Sequence, residues 1–469
     1  MVHVDDTTGT GDPAQRDPLA ATTGTPATGP PATGTAATGT VAVPDASATA
    51  DALGEPTTPV PHRWTVAFAL ATVGTFVGWY GPLQILLAKQ AEAIDPANKE
   101  AVLALVAGVG AFVSMVANPF WGAFSDRTTS RYGRRIPWVL AGSTVGAASL
   151  VMLGSATSVA LMIAGWCLVQ AALNAPFAAL SAAIPDQVPV RDRGAGGAWF
   201  GVAQTVGVMA GTGIAMAAGG IVSGYLACAA FVVAASVPYV VLRHDRVLRR
   251  DQRPAWSGLV RRFWISPRAY PDFGWAWVTR FLMNLGNAIA LLYLFFFLKY
   301  AVRVEDPEGG VFLLTVLNAV TLLATVIVGG YWSDRVKKRR VFVCWSGVIM
   351  SVAAFILAYT QSWPGAVVAA VVLGVGFGAY TSVDFALITQ VLPAARDRAK
   401  DLGIINVANS LPQVLAPVIA APLVAGLGGY LAGLTGYSRI FSGYAALYTV
   451  AGVVGLAGAV LVYRIRSVS

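Results

Sequence analysis

Between Trp64 and Val462 the chain repeats one pattern twelve times, an apolar run of roughly 20 residues followed by a short break of charge, glycine or proline. A run of that length is the helix that crosses the hydrocarbon core of a bilayer, where an open strand would leave its backbone polar groups unsatisfied. The pattern predicts an all-α membrane protein with spans near 64–88, 101–124, 137–155, 158–184, 196–217, 219–242, 273–298, 310–332, 341–359, 364–391, 402–427 and 440–463. A single soluble domain is excluded, because 56% of the residues are hydrophobic and only 12% charged, about half the usual charged share.

Residues 1–62 are rich in Thr, Ala, Gly and Pro and contain no aromatic residue. Such a segment cannot bury enough surface to fold, and it lacks the basic start and apolar core of a signal peptide. It is expected to be a disordered cytoplasmic tail. Cys167, Cys228 and Cys344 lie singly inside apolar runs, which argues against a disulfide framework and against a metal site. His3, His62 and His244 all lie outside the spans. No cofactor is expected.

The net charge of +9 invites a nucleic-acid reading, but position decides otherwise. Of the 32 Lys and Arg residues, 26 fall on one side of the predicted spans, five on the other (Lys89, Lys99, Lys299, Arg303, Arg439), and Arg280 within a span. The basic side is cytoplasmic by the positive-inside rule, with both termini there. Eight arginines between Arg243 and Arg268 join spans 6 and 7, as expected of a linker resting on anionic headgroups.

Charge also repeats between the halves. Gly122, Asp126 and Arg127 after span 2 recur 208 residues later as Gly330, Asp334 and Arg335 after span 8. Arg191-Asp192-Arg193 recurs 205 residues later as Arg396-Asp397-Arg398. Two tandem six-helix repeats of like orientation follow. The expected division is a tail over 1–62, a bundle over 63–242, a cytoplasmic linker over 243–272 and a second bundle over 273–469.

The loop after span 2 runs Gly122, Asp126, Arg127, Arg131, Gly133, Arg134, Arg135, Pro137, Trp138. It resembles the signature loop of the major facilitator superfamily, and its extra residues between Arg127 and Gly133 are similar to those of the glycoside-pentoside-hexuronide and sucrose-proton symporters. The resemblance covers about residues 64–466 and implies twelve helices in two pseudo-symmetric bundles. It assigns Gly122, Asp126, Arg127, Arg131, Arg134 and Arg135, with Gly330, Asp334, Arg335 and Arg339 of the second half, to a cytoplasmic gate. Glycine would let a neighbouring helix approach, and the aspartates would pair with arginine and with a helix amino terminus. Topological anchoring is the plainer role for the same arginines.

An ionisable residue inside a span costs about 2.5–3.5 kcal/mol on insertion scales, so those present are functional candidates. Arg280 in span 7 and Asp384 in span 10 stand at similar depth. The resemblance implies that spans 1, 4, 7 and 10 line a central cavity where the two can pair. Either the pair is a permanent bridge or it opens on protonation, in which case Asp384 is the proton site; sodium coupling stays open. Amides also fall on helical faces: Asn284 and Asn287 share one with Arg280 in span 7, Gln170 and Asn174 share one in span 4, and Asn406, Asn409 and Gln413 share one in span 11. They suit hydroxyl recognition, and Trp79, Tyr80, Phe377 and Tyr380 could stack on a sugar ring. Each also serves for packing.

The resulting expectation is a monomeric secondary transporter in the cytoplasmic membrane that carries a small polar solute, a sugar or glycoside, by proton-coupled alternating access. An exporter of drugs or metabolites on the same fold is the first alternative. A non-transporting sensor or scaffold is the second. An enzyme is disfavoured, because no nucleophile has an adjacent base and no metal ligands cluster.

Overall fold

The computed structural model describes residues 56–252, 270–336, 339–391, 398–427 and 443–465, without the side chains at 252, 329–336, 339, 384–391, 398–406, 425 and 427. The side chains of Gly330, Asp334, Arg335, Arg339, Asp384 and Asn406 thus lie outside the described residues. Every regular element described is helical. The helices are α1 (His62–Ile94), α2 (Lys99–Asp126), α3 (Ile136–Gly154), α4 (Val159–Gln187), α5 (Arg193–Ala217) and α6 (Ile221–Leu242). After the linker come α7 (Pro271–Leu292, continued by Leu294–Val302), α8 (Pro307–Val336), α9 (Arg339–Thr360), α10 (Trp363–Val391), α11 (Arg398–Pro422) and α12 (Gly443–Leu461). Ten of the described helices are long and apolar enough to cross a membrane, or eleven with the two pieces of α7 taken as one span. The described apolar part of α11, Val407–Pro422, is shorter.

Local chemistry sets the breaks. Ser158 caps α4 by accepting the Leu161 N–H at 3.3 Å, and Pro137 stands in the first turn of α3, where no N–H is needed. Pro82 removes a donor from the middle of α1, and the next turn, Pro82–Leu86, widens to π geometry. The α7 continuation also ends in a π turn, Phe297–Val302, after a 43° bend at Tyr293. The first helix of each half therefore carries a π turn, though not at the same position of the repeat, a feature that apolar patterning does not reveal.

Packing repeats between the halves. In the first, α1 packs on α5 and α6, α3 on α4 and α6, and α2 on α4; in the second, α7 packs on α11 and α12, α9 on α10 and α12, and α8 on α10. The halves meet along two seams, α2 against α11 and α5 against α8, which exchange under the same pseudo-twofold. Small residues allow the close approaches. A Cβ on Gly211 of α5 would stand 2.8 Å from the Gly81 N of α1, and one on Gly378 of α10 would stand 2.6 Å from the Leu322 O of α8.

Candidate functional site

We call the end that carries the α2–α3 loop and the α6–α7 linker basal, and the end that carries the α1–α2 loop distal. Between them, the helix-face reading of α7 and α11 converges on one cluster. Arg280 Nε donates to Asn409 Oδ1 at 2.7 Å, and Asn284 Nδ2 donates to the same oxygen at 3.4 Å and to the Arg280 carbonyl at 2.9 Å. The spacing of four between Arg280 and Asn284 puts both on the α7 face that meets α11. Asn287 is half-buried on α7, and Gln413 is exposed on α11. Helix α10, whose backbone carries Asp384, packs on α7.

In the first half, α1, α4 and α5 build an aromatic patch. Phe76 stacks on Tyr80 with centroids 5.9 Å apart, and Trp79 meets Phe177 edge-on at 5.5 Å. Phe177 continues to Phe200 of α5 at 6.0 Å. Trp79 Nε1 is buried without a hydrogen-bond acceptor among the described residues, a donor left available inside the patch. Tyr380 is buried on α10 beside Phe377, with centroids 6.0 Å apart.

Asn174 is engaged in packing, one of the two roles its helical stripe allowed. It is 1% exposed; its amide donates to Ser114 Oγ and the Gln170 carbonyl at 2.7 Å each, and its oxygen accepts from Asn118 at 3.2 Å. Trp121 adds a bond to the Ala171 carbonyl at 2.6 Å. These bonds tie α2 to α4, so Asn174 is a packing residue, while Gln170 is half-buried. Ser114 and Asn118 were the missed partners, placed on the facing stripe of α2.

At the basal end Arg134 and Arg135 are held by carboxylates of the first half. Arg135 pairs with Asp126 at 2.6 Å and Asp186 at 2.7 Å and donates to Ser125 Oγ at 2.8 Å, while Arg134 pairs with Asp186 at 2.5 Å. Burial works against the Arg135 charge, yet the Asp186 and Asp126 carboxylates raise its pKa above the ordinary value. Asp245, beyond α6, accepts the backbone N–H groups of Arg135 at 2.6 Å, Ile136 at 3.1 Å and Arg246 at 2.8 Å, which caps α3 from the linker. Burial raises its carboxyl pKa against the pull of those N–H groups. Gly133 is left-handed at φ 96°, and a Cβ there would strike the Asp245 side chain.

The remaining loop residues differ. Arg131 is exposed and donates to the Tyr132 hydroxyl at 2.7 Å, and Arg127 closes α2 with its N–H on the Phe124 carbonyl. Gly122 has no heavy atom among the described residues within 4 Å of where a Cβ would stand. The close helix approach expected of that glycine is thus not found there. Asp186 and Asp245 were not singled out from the sequence, because they are far along the chain from the loop they hold.

The distal end joins the halves. Lys89 of α1 pairs with Glu308 of α8 at 2.5 Å and donates to the Gly219 carbonyl at 3.0 Å. Lys299 of α7 pairs with Glu92 of α1 at 2.7 Å, and the Tyr300 hydroxyl donates to the other Glu92 oxygen. Lys99 lies 3.8 Å over the Tyr300 ring. Glu100 receives Tyr293 on its carbonyl at 2.8 Å and Tyr444 of α12 on its carboxylate at 3.1 Å. The signal for this clasp is the repeat itself: Lys89 and Lys299 are 210 residues apart, and Glu100 and Glu308 are 208 apart.

Comparison with known proteins agrees with this architecture. Human monocarboxylate transporter 2 is 28% identical over 188 residues, covering 38% of this chain and 39% of that one. Arabidopsis thaliana sucrose transport protein SUC4 is 29% identical over 125 residues, covering 27% of this chain and 23% of its own. The chain thus spans about two fifths or less of the length of these relatives. Among solved structures, the nucleoside transporter NupG superposes with a TM-score of 0.65 at 13% identity, covering 86% of this chain and 98% of that one. A bacterial homologue of the human lysosomal transporter Spinster gives 0.63 at 14%, covering 87% and 96%. The sequence pattern of the Major Facilitator Superfamily matches residues 65–313 and 309–469. With twelve helices in two pseudo-symmetric halves, this chain is a multi-pass membrane transporter rather than an enzyme, and it belongs to the Major Facilitator Superfamily.

Proposed function

We propose that the protein takes up a small polar solute, a sugar or glycoside, across the cytoplasmic membrane by proton-coupled alternating access. The bundles are residues 63–242 and 273–469, joined by a cytoplasmic linker over 243–272, and the basal end faces the cytoplasm because it carries the basic loops. The observation that carries the reading is the Arg280, Asn284 and Asn409 cluster at the α7–α11 contact. Amides there donate to and accept from hydroxyls, and the aromatic patch with its available Trp79 donor offers a face for a sugar ring. The partial likeness to a sucrose transport protein favours the same class.

Coupling is assigned to Asp384, at a depth in α10 similar to that of Arg280 in α7. A nearby guanidinium lowers a carboxyl pKa, so proton uptake requires the two to separate, which links protonation to movement of α7 against α10. One proton moving through 100 mV supplies about 2.3 kcal/mol, enough for about fifty-fold accumulation of a neutral solute. The distal clasp holds the outward path shut in the state described, and the basal cluster braces the first-half wall of the cytoplasmic gate that alternates with it.

A second reading has its own support. The monocarboxylate transporter relative matches a longer stretch of this chain than the sucrose one, and a guanidinium in the cluster suits a carboxylate. Uptake of labelled mono- and disaccharides and of lactate and pyruvate, with and without a protonophore, separates the two. We expect energised sugar uptake that the protonophore and Asp384→Asn both abolish, with downhill exchange retained. Energised uptake of the carboxylates alone would establish the second reading, and uptake indifferent to Asp384→Asn would remove that residue from coupling.

A further inference from the structure

The basal face holds a cavity of about 410 Å³ lined by Arg131, Tyr132, Arg243, Asp245 and Val247. Its geometry is specific. Both arginines lie over the one Tyr132 ring, Arg131 at 4.8 Å and Arg243 at 5.2 Å from the centroid, so two guanidinium groups are gathered at one ring. Arg243 is held there in a left-handed conformation, φ 48°, at the residue that ends α6. That conformation is uncommon for a residue with a side chain, and it directs the chain from the helix straight into the cavity wall.

Neither arginine has a carboxylate within ion-pair distance among the described residues. Asp245, the acidic group in the wall, is already bound: one oxygen accepts from the Arg135 and Ile136 N–H groups and the other from the Arg246 N–H, with Gln187 Nε2 at 3.4 Å. Arg131 gives one N–H to the Tyr132 hydroxyl at 2.7 Å, and the remaining donors of the two guanidinium groups line the cavity, where their geometry matches the oxygens of a phosphate. Lipid is favoured over free phosphate by what adjoins the cavity. Val237 and Val241, four residues apart, are exposed on the last turns of α6 leading to Arg243, and Val247 is exposed on the rim. Charge at the mouth and an apolar track along the helix below it match an amphiphile at the height of the headgroups.

We propose that Arg131, Tyr132 and Arg243 form a binding site for the phosphate of one anionic phospholipid, whose acyl chain lies along the Val237 and Val241 face of α6. The site stands apart from the transported solute and does not depend on what that solute is. Because Asp245 joins the cavity wall to the first turn of α3, a bound lipid braces the same turn that carries Arg134 and Arg135.

The test uses the purified full-length protein in a neutral detergent, with bound lipid counted by native mass spectrometry over a titration. Phosphatidylglycerol is expected to bind one site at least tenfold more tightly than phosphatidylcholine. Arg131→Gln, in an exposed loop where folding is not at risk, should weaken it about fivefold, and the Arg131→Gln/Arg243→Gln pair at least tenfold. Arg249→Gln, elsewhere on the linker, should stay within twofold, and inorganic phosphate at tenfold excess should not displace the lipid. The proposal fails if Arg131→Gln binds as wild type does, or if Arg249→Gln loses as much as the pair. Phosphatidylcholine binding equally well, or inorganic phosphate displacing the lipid at equal concentration, would overturn the lipid assignment.

Discussion

At the basal end, Arg134 and Arg135 find Asp126, Asp186 and the Asp245 cap within their own half. At the distal end, Lys89, Lys299, Tyr293, Tyr300 and Tyr444 each reach a partner in the other half. The first set is carried along unbroken when one half rocks against the other. The second must break. Burial separates the arginine from the clasp but not every partner: Arg135 is 2% exposed and Asp186 13%, though Asp126 is 52% exposed, whereas Lys89 and Glu308 are 18% and 22% exposed and Lys299 is 38% exposed. A buried pair is costly to break by removing one partner, while a wetter pair contributes on the order of 1 kcal/mol and can be exchanged for water during a transport cycle. Among the described residues, the basal pairs keep a half rigid and the distal pairs are the ones to be released.

The largest effect is therefore expected at the basal end and in stability. Arg135→Ala leaves Asp126 and Ser125 without this donor and Asp186 with Arg134 alone, and should destabilise the protein by about 2–3 kcal/mol, less than the cost of leaving a buried carboxylate wholly unpaired. Thermal unfolding of the purified protein measures it, with Arg135→Lys expected to recover only part, because one ammonium cannot serve Asp126, Asp186 and Ser125 in the fork geometry. A variant that folds as stably as the wild type but shifts the balance of inward and outward states would break the comparison, since it would make the cluster a switch and not a brace.

The two ends also differ in how much of them the sequence discloses. Twelve spans could be read because each must be apolar along a bilayer's thickness, a constraint every residue in the span feels. Asp126, Arg134 and Arg135 were legible as a set from their spacing in one loop. Their partners Asp186 and Asp245 were not, since a carboxylate at a helix end looks the same whether it faces water or closes a contact made 50 to 110 residues away. Lys89, Lys99 and Lys299 read as loop charges because positive-inside counting asks only which side a charge is on. Asn174 stays between two roles for a related reason: a polar residue on an inward stripe faces either a solute or a neighbouring helix, and the sequence does not show where Ser114 and Asn118 stand.

At the distal end the expected effect is on conformational balance with little loss of stability. Glu92→Gln and Glu308→Gln each remove one cross-half ion pair, and at about 1 kcal/mol apiece each should raise the outward-open to inward-open ratio about fivefold. Distance distributions between spin labels on the two halves report that ratio. Reversing a pair, Lys89→Glu with Glu308→Lys, should restore the wild-type distribution, whereas either change alone should not. If Glu92→Gln instead lowers the unfolding temperature as far as Arg135→Ala does, the distal pairs are structural and the contrast between the ends disappears.

The smallest effect sharpens the contrast within the clasp. Tyr444 donates to the Glu100 carboxylate at 3.1 Å, a hydrogen bond with no charge of its own to neutralise, and Tyr444→Phe keeps the ring packed edge-on against Phe297 at 6.1 Å. Water can replace the hydroxyl at the part-buried carboxylate once the clasp opens, which brings this charge-assisted bond down to about 0.7 kcal/mol net, so the outward-open ratio should rise about threefold, below the effect of either ion-pair variant, with unfolding nearly unchanged. Because Tyr444 opens α12 and Glu100 opens α2, this bond joins the halves at a second point, away from the pairing of Lys299 with Glu92. Combining Tyr444→Phe with Glu92→Gln should therefore multiply the two shifts if the contacts act independently on one rigid-body equilibrium. A combined shift no larger than that of Glu92→Gln alone would mean that breaking one contact already releases the other, and the clasp opens as a single unit.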